Sequence, residues 1–166
     1  MLPYYAAVLA FLLGFGHDRN MGMELSIKVA GITTWVAQKR DPALYYPKLA
    51  AVDADAARVK VAKLYAEWII HESGGRGDVV GDGGHSCGIM QVNPWHVKKS
   101  CEELRKNNFV GITAAADVLE GHLKQCKGNL KQALGAYSGR GKCEVYDLVI
   151  SRCKEIGPGA CDDIVE

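Results

Sequence analysis

Hydrophobic side chains recur at helical spacing along most of the chain. Within residues 24–38 they stand at i, i+4, i+7 and i+11, which places them on one face of a helix. Pro42 follows shortly afterwards and ends the pattern, because proline disrupts a helix interior. The members of this stripe are Leu25, Val29, Ile32 and Val36.

A longer helix is predicted to begin after Asp53, a residue type favoured at helix N-termini. Its apolar stripe runs through Val61, Leu64 and Trp68, and Glu72 continues the same face at i+11. Apolar surroundings disfavour the charged form of a carboxyl group. We therefore expect Glu72 to hold its proton at working pH, as a general acid must. A solvated glutamate at a frayed helix end is the alternative.

The C-terminal half predicts further helices. Ser100 and Glu103 have the S-x-x-E spacing of a capping box, which is typical of a helix N-terminus. Apolar stripes at helical spacing follow, and Tyr137 lies on one of them, so its side chain is expected to point inward. The stripe nearest the C-terminus consists of Tyr146, Val149, Ile150 and Cys153.

Strand signals are weak by comparison. Val79-Val80 predicts a minor strand pair and nothing larger, so the fold class is expected to be mainly α. Gly157-Pro158-Gly159 is expected to end the folded part of the chain. The acidic tail, residues 158–166, is expected to be loose.

Composition and charge narrow the function classes. The chain has 166 residues, 48% of them apolar, which suits a single globular domain with a core. A formal net charge of +1 argues against binding to nucleic acid by phosphate attraction and against a polybasic membrane surface. Six cysteines, an even number, predict a disulfide framework and an oxidising compartment, although the pairing stays open and reduced thiols are the alternative.

The N-terminal stretch 1–16 carries no charged side chain. It is shorter than the roughly 20 residues of a membrane-spanning helix. No lysine or arginine precedes the apolar run, as one would in a signal peptide. Two interpretations stay open: a buried N-terminal helix, or a targeting or membrane-entry segment. Membrane contact is expected only through this stretch, and the oligomeric state is not predicted.

A glycine-rich loop, residues 75–88, follows the long helix. Few bulky side chains interrupt it, so its backbone can approach a ligand closely. The loop supplies two further carboxylates, Asp78 and Asp82, and His85 is expected near the ligand.

Two other site types fit the residues poorly. The G-x-S-x-G pattern at residues 84–88 needs a preceding strand within a parallel sheet, which the sequence does not predict. His71-Glu72 begins an H-E-x-x-H zinc motif, but Gly75 stands where the second histidine belongs. The other candidate ligands have no tight spacing, and they are His85, Cys87 and His96. No metal or cofactor is therefore expected, and His96 and His122 are expected at the surface.

Three short blocks occur in a familiar order: Glu72-Ser73, the tetrad Gly88-Ile89-Met90-Gln91, and ALGAYS at residues 133–138. Together they resemble the lytic transglycosylases of the soluble-transglycosylase family, which have a lysozyme-like fold. Ser138 stands where that family usually has asparagine. The resemblance implies a lysozyme-like domain over residues 46–157, an extra helical N-terminal segment over residues 1–45 and a tail from 158 to 166.

The resemblance also implies a substrate and a mechanism. The substrate is peptidoglycan, cut between N-acetylmuramic acid and N-acetylglucosamine in the periplasm or outside the cell. Glu72 is expected to protonate the glycosidic oxygen and then to take a proton from the muramoyl C6 hydroxyl, which gives a 1,6-anhydro product. The residues expected to contact the substrate are Ser73, Gly88, Met90, Gln91 and Tyr137.

Two alternatives stay open. Asp82 or Asp78 could activate water, and the enzyme would then be a hydrolysing lysozyme similar to the goose-type enzymes. The domain could also be a structural component of a virion or secretion machine that binds glycan without cutting it. The intact Glu72 argues against this second alternative, because binding alone needs no proton donor there.

Overall fold

The computed structural model describes residues 2–14, 22–157 and 159–162. Most of them are helical, which confirms that the fold class is mainly α. The helices are α1 Leu2–Gly14, α2 Met23–Gln38, α3 Pro47–Val52, α4 Ala54–Ser73, α5 Cys101–Lys106, α6 Asn108–Gln125, α7 Leu130–Gly135 and α8 Asp147–Ile156. Single turns of 3-10 helix are formed by Pro42–Leu44, Asp82–Gly84 and Pro94–His96, and a π-helical turn by Ala136–Arg140.

The long helix α4 is the central element of the fold. Asp53 caps it, since a carboxylate oxygen accepts hydrogen bonds from the backbone N–H groups of Asp55 and Ala56 at 3.0 and 2.9 Å. Gly74 ends the helix in the left-handed conformation, with φ 60°. The predicted start and end of this helix are confirmed. Helices α1, α2, α3 and α8 pack around α4, and Trp68 of α4 is buried.

Helix α1 packs against α2 and α4. Val8, Phe11 and Leu12 are buried there, so the helix hides one side in the core. Residues 15 and 16 of the uncharged stretch lie outside the described residues. Within the described part of the chain, no helix is both long and apolar enough to cross a membrane.

The weak strand signal corresponds to a two-stranded hairpin. Strands β1 Val80–Gly81 and β2 Ser86–Cys87 pair antiparallel, with Val80 opposite Cys87. The capping box before α5 is also confirmed: Ser100 Oγ accepts from the Glu103 N–H at 3.2 Å, and Glu103 accepts from the Ser100 N–H at 2.7 Å.

All six cysteines are paired, which confirms the predicted disulfide framework. The pairs are Cys87–Cys101, Cys126–Cys143 and Cys153–Cys161. The last of them corrects the prediction of a loose tail, which is wrong for residues 159–162. Cys161 is buried, and the Tyr46 hydroxyl donates to the carbonyl oxygen of Ala160 at 2.6 Å. Residues 158 and 163–166 lie outside the described residues.

Candidate active site

Glu72 lies in the last turn of α4 and faces α8. Its Oε1 accepts a hydrogen bond from Arg152 Nη1 at 2.5 Å, and the two side chains are only 17% and 11% exposed. The Arg152 guanidinium also lies over the Trp68 ring, 4.9 Å from its centroid. The expectation that Glu72 has purely apolar surroundings is therefore wrong, since helix α8 brings a cation to this face of α4.

This ion pair decides what Glu72 can do at rest. A carboxylate bound to a guanidinium accepts hydrogen bonds and holds no proton on that oxygen. To act as a general acid, Glu72 must leave this contact or take up a proton on its other oxygen. The pair also fixes the rotamer of Glu72, because the guanidinium is itself held against the Trp68 ring.

A cleft of about 520 Å³ opens in front of the ion pair. Glu72, Asp82, Gln91, Tyr137 and Arg152 all line it. They come from α4, the hairpin, the turn that follows it, the π-helical turn and α8, so the cleft exists only in the folded chain. Other residues on its walls include His85, Asn93, His96, His122 and Ser138. His96 and His122, expected simply at the surface, thus lie on the walls of the cleft.

Tyr137 is the neutral polar group next to Glu72. Its hydroxyl donates to the carbonyl oxygen of Met90 at 2.8 Å. Burial raises the pKa of the Tyr137 phenol well above its ordinary value, and the Glu72 charge raises it further, while Arg152 opposes the shift. The phenol therefore stays protonated, so it orients its neighbours and does not act as a base.

The tetrad Gly88-Ile89-Met90-Gln91 forms a tight turn between residues that exchange backbone hydrogen bonds. The N–H of Cys87 donates to Val92 at 2.9 Å, and the N–H of Val92 donates back at 3.0 Å. Ser73 Oγ donates to the Ile89 carbonyl oxygen at 2.7 Å. Together with Tyr137, Ser73 thus holds the carbonyl groups of two successive residues of the tetrad.

Gly88 and Met90 lie beneath the cleft and do not line it. Gly88 has φ 77°, and a Cβ there would lie 2.4 Å from the Leu104 carbonyl oxygen. Only glycine fits this close approach. Met90 is 2% exposed. Neither residue lines the cleft, so their expected contact with the substrate stays a prediction.

Gln91 and Ser73 occupy different parts of the site. Gln91 lines the main cleft, but its side-chain amide also donates to the carbonyl oxygens of Gly88 at 2.8 Å and Val79 at 3.2 Å. Ser73 is buried and lines a neighbouring hollow that Glu72 shares. Gln91 is thus placed to meet a ligand in the main cleft, and Ser73 is placed on the other side of Glu72.

The two loop aspartates differ in position. Asp82 lines the cleft, is exposed and accepts a hydrogen bond from Ser86 Oγ at 2.7 Å. Asp78 is exposed but does not line this cleft, and its backbone oxygen accepts from Arg105 Nε at 3.0 Å. Of the two candidates for a second carboxylate, only Asp82 shares the cleft with Glu72.

The candidate metal ligands considered from the sequence do not gather. Cys87 forms a disulfide and cannot offer a thiolate. His85 and His96 lie on the cleft walls, whereas His71 contacts Glu67 at 3.1 Å and Glu155 at 3.0 Å outside the cleft. A His-Glu-Glu group of this kind could hold an ion, and it is considered below.

The comparison with known families gives a direct match. The model of the transglycosylase SLT domain matches residues 52–145, which is more than half of the 166 residues. The chain belongs to this family. No curated protein and no solved structure matched in the other two comparisons.

Membership gives the coarse function: SLT domains are lytic transglycosylases that act on peptidoglycan. The matched range contains the Glu72-Ser73 pair, the tetrad and the ALGAYS block. It ends before α8, so Arg152 comes from a part of the chain that the SLT model does not cover. Helix α2 and the described part of α1 also lie outside it.

Sequence reasoning missed Arg152. The buried face of α8 consists of Val149, Arg152, Cys153 and Ile156, whereas Ile150, placed on the predicted face, is 38% exposed. A usable signal existed, because a charged residue at i+3 from Val149 interrupts an apolar stripe and so calls for a buried partner.

Proposed function

We propose that this SLT domain cleaves the bond between N-acetylmuramic acid and N-acetylglucosamine, with Glu72 as the only acid/base and a 1,6-anhydro-muramoyl end as product. The observation that carries the proposal is the position of Glu72 in the cleft, between the Arg152 guanidinium and the Tyr137 phenol. One carboxylate then serves both steps, because the nucleophile is a hydroxyl of the substrate itself.

In the first step the Glu72 carboxyl group gives its proton to the glycosidic oxygen, and the bond from that oxygen to C1 breaks. The departing sugar leaves with a new hydroxyl group. Positive charge develops at C1 and is stabilised by the acetamido group of the substrate. Arg152 lies 2.5 Å from Glu72 Oε1 and can stabilise the carboxylate that this step generates.

In the second step the Glu72 carboxylate takes the proton of the C6 hydroxyl while O6 bonds to C1. Glu72 ends protonated, as it began, and no water is consumed. Tyr137, whose pKa is raised by burial, keeps its proton throughout and orients groups near Glu72 through its hydroxyl. For the first step Glu72 must leave the contact with Arg152 or carry its proton on the other oxygen, and we propose that entry of the glycan strand into the cleft brings this change about.

We expect two groups of residues to contact the same glycan strand. Gln91 and Tyr137 line the main cleft, and Ser73 lines the hollow on the other side of Glu72. A polymer passing over Glu72 would meet both sets. Gly88 and Met90 would then contribute through the shape of the floor they support and not through direct contact.

The test is mass spectrometry of the muropeptides released from purified peptidoglycan. We expect anhydro ends, one water lighter than reducing ends. Glu72→Gln should lower release by at least about 100-fold, because the amide can neither donate nor accept this proton. Its Tm should change little, since the amide oxygen still accepts from Arg152. Undiminished release by Glu72→Gln would refute the assignment.

Hydrolysis is the second candidate, and the presence of Asp82 in the same cleft favours it. Asp82 would then activate a water molecule, and the released ends would be reducing. Asp82→Asn separates the two routes: it should leave an anhydro product unchanged but abolish a hydrolytic one. Absence of any release by the unmodified chain would favour a glycan-binding structural component.

The proposed place of action is outside the cytoplasm, in the periplasm or extracellular space. Peptidoglycan lies there, and disulfides form and persist in such compartments. The three disulfides, which involve every cysteine of the chain, support this proposal.

A further inference from the structure

Beside the cleft, three side chains from two helices meet around one imidazole nitrogen. Glu67 and His71 stand at i and i+4 on α4, and Glu155 comes from α8. His71 Nε2 lies 3.1 Å from Glu67 Oε1 and 3.0 Å from Glu155 Oε2. The three donor atoms all lie within 4.8 Å of one another.

The arrangement around His71 Nε2 suits a metal-ligand atom. An imidazole nitrogen carries one N–H or one lone pair, directed along a single axis in the ring plane. Among the described residues, neither contact of Nε2 has the alignment of a hydrogen bond. The nitrogen therefore faces the space shared by two carboxylate oxygens.

The spacing fits a small divalent ion. Bonds of about 2.0 Å from zinc to nitrogen and oxygen ligands put neighbouring ligand atoms of a tetrahedron about 3.3 Å apart. The two contacts of 3.0 and 3.1 Å need to lengthen by only a few tenths of an ångström. Glu67 is fully buried and Glu155 is 51% exposed, so the site has a fixed inner wall and an adjustable outer ligand.

We propose that Glu67, His71 and Glu155 bind one divalent transition-metal ion of the zinc type, with the fourth position open to solvent. A nitrogen donor beside two carboxylates suits zinc and its neighbours, whereas calcium and magnesium prefer oxygen ligands alone.

The ion would join α4 to α8 next to the Glu72–Arg152 pair. His71 precedes Glu72 on α4, and Glu155 lies one helical turn after Arg152 on α8. A metal bridge would therefore brace the two helices that position the pair. The role is structural, and the inference does not rest on the proposed acid/base function of Glu72.

The test is calorimetric titration of the full chain, without a histidine tag, with zinc chloride near neutral pH, together with thermal melting. All cysteines are in disulfides, so thiolates do not compete for the ion. We expect one ion per chain and, at zinc concentrations about 100-fold above Kd, a Tm rise of about 5 °C or more. Magnesium chloride at the same concentration should give no comparable shift.

Two substitutions test the ligand set. Glu155→Gln keeps an acceptor near His71 but removes the carboxylate, and His71→Gln removes the nitrogen ligand. Each should weaken zinc binding at least about tenfold while the metal-free chain stays folded. Matched controls are Glu102→Gln, an exposed glutamate on α5, and His122→Gln, and both should bind as the unmodified chain does.

Failure of this proposal is separable from failure of the function above. The absence of saturable zinc binding, or zinc binding that is unaffected by Glu155→Gln or by His71→Gln, overturns the metal site. Glu72→Gln should lose activity and still bind zinc. If it instead keeps activity, the acid/base assignment is wrong while the metal site stands.

Discussion

At the scale of single residues, the unusual feature is that Glu72, the proposed general acid, pairs with an arginine. Glu72 and Arg152 are both largely buried, and their contact is 2.5 Å. Each side chain supplies a hydrogen-bond partner to the other, so each needs a polar partner at this place in the resting fold. The pair therefore positions Glu72 in the cleft.

Removing the guanidinium should slow the reaction. In Arg152→Gln the Glu72 carboxylate formed in the first step loses the cation beside it, so the maximal rate should fall by about tenfold. The measurement is the rate of muropeptide release.

The matched control for this substitution is Arg58→Gln, a half-buried arginine that pairs with Asp55 on α4. Its rate should equal that of the unmodified chain. An Arg152→Gln rate that is equally unchanged would exclude Arg152 from the stabilisation of the Glu72 carboxylate.

Tyr137→Phe keeps the ring and removes the hydroxyl that binds the Met90 carbonyl oxygen. We expect turnover to fall by about tenfold, and the free energy of unfolding to fall by only about 1 kcal/mol. Rates on peptidoglycan and thermal melts measure the two effects. Tyr146→Phe, which removes a hydroxyl bound to Glu144, is the control. Unchanged turnover in Tyr137→Phe would remove this hydroxyl from the site.

At the scale of elements, the tetrad turn is held from two sides. Ser73, at the end of α4, binds the carbonyl oxygen of Ile89, and Tyr137, in the π-helical turn, binds that of Met90. The Cys87–Cys101 disulfide ties the hairpin to α5. The cleft floor is thus fixed by one helix end, one π-helical turn and one disulfide, which explains why a short loop can keep a defined shape.

Two glycines of this region separate the energetic cost of a positive φ from the cost of a steric clash. Both Gly88 and Gly83 have positive φ, 77° and 64°, but only Gly88 meets a backbone oxygen at 2.4 Å, whereas nothing lies within 4 Å of a Cβ at Gly83. Gly88→Ala should cost about 3 kcal/mol and Gly83→Ala about 1 kcal/mol. Chemical denaturation measures both, and equal losses would contradict the packing role of Gly88.

Helix α8 links the catalytic region to the C-terminal segment. It presents Arg152 to Glu72 and Glu155 to His71, and its Cys153 is bonded to Cys161. Residues on one helix face thus serve an ion pair, the proposed metal site and a disulfide. The rotation of α8 about its axis is therefore fixed by three independent contacts.

At the scale of the whole molecule, the disulfides brace segments that form or flank the cleft. Cys87–Cys101 holds the hairpin, Cys126–Cys143 joins the end of α6 to the segment after the π-helical turn, and Cys153–Cys161 fixes the end of α8. Their sequence separations are 14, 17 and 8 residues, so each closes a short loop. The network secures the walls of the cleft more than it links distant parts of the chain.

Reduction of the disulfides should therefore lower the activity as well as the stability of the fold. Each disulfide contributes about 2–4 kcal/mol, so reductant should lower Tm by about 10 °C or more. Activity at a temperature where the reduced chain is still folded should also fall, because the walls that carry Arg152 and Tyr137 lose their braces. Equal Tm values in the presence and absence of reductant would contradict this account.

Much of the fold was readable from contiguous residues. Asp53 predicts the start of α4 and a glycine predicts its end. The helical period between them places Glu72 in the last turn. The S-x-x-E spacing located the start of α5 in the same way. These features depend on neighbours in the sequence, because helix caps and helix faces are satisfied within a few residues. The three family blocks could also be recognised from the sequence, because each is a short run of contiguous residues.

Other features of the site were decided only when distant segments met. The partner of Glu72 lies 80 residues further along the chain, and no local pattern around Glu72 specifies it. The need for glycine at position 88 comes from the Leu104 carbonyl group, and the anchoring of residues 159–162 comes from Cys153 and Tyr46. The sequence by itself thus determined the helices and the motif that carries Glu72. The tertiary structure alone decided the electrostatic surroundings of Glu72, because charge and close packing depend on which surfaces are brought together.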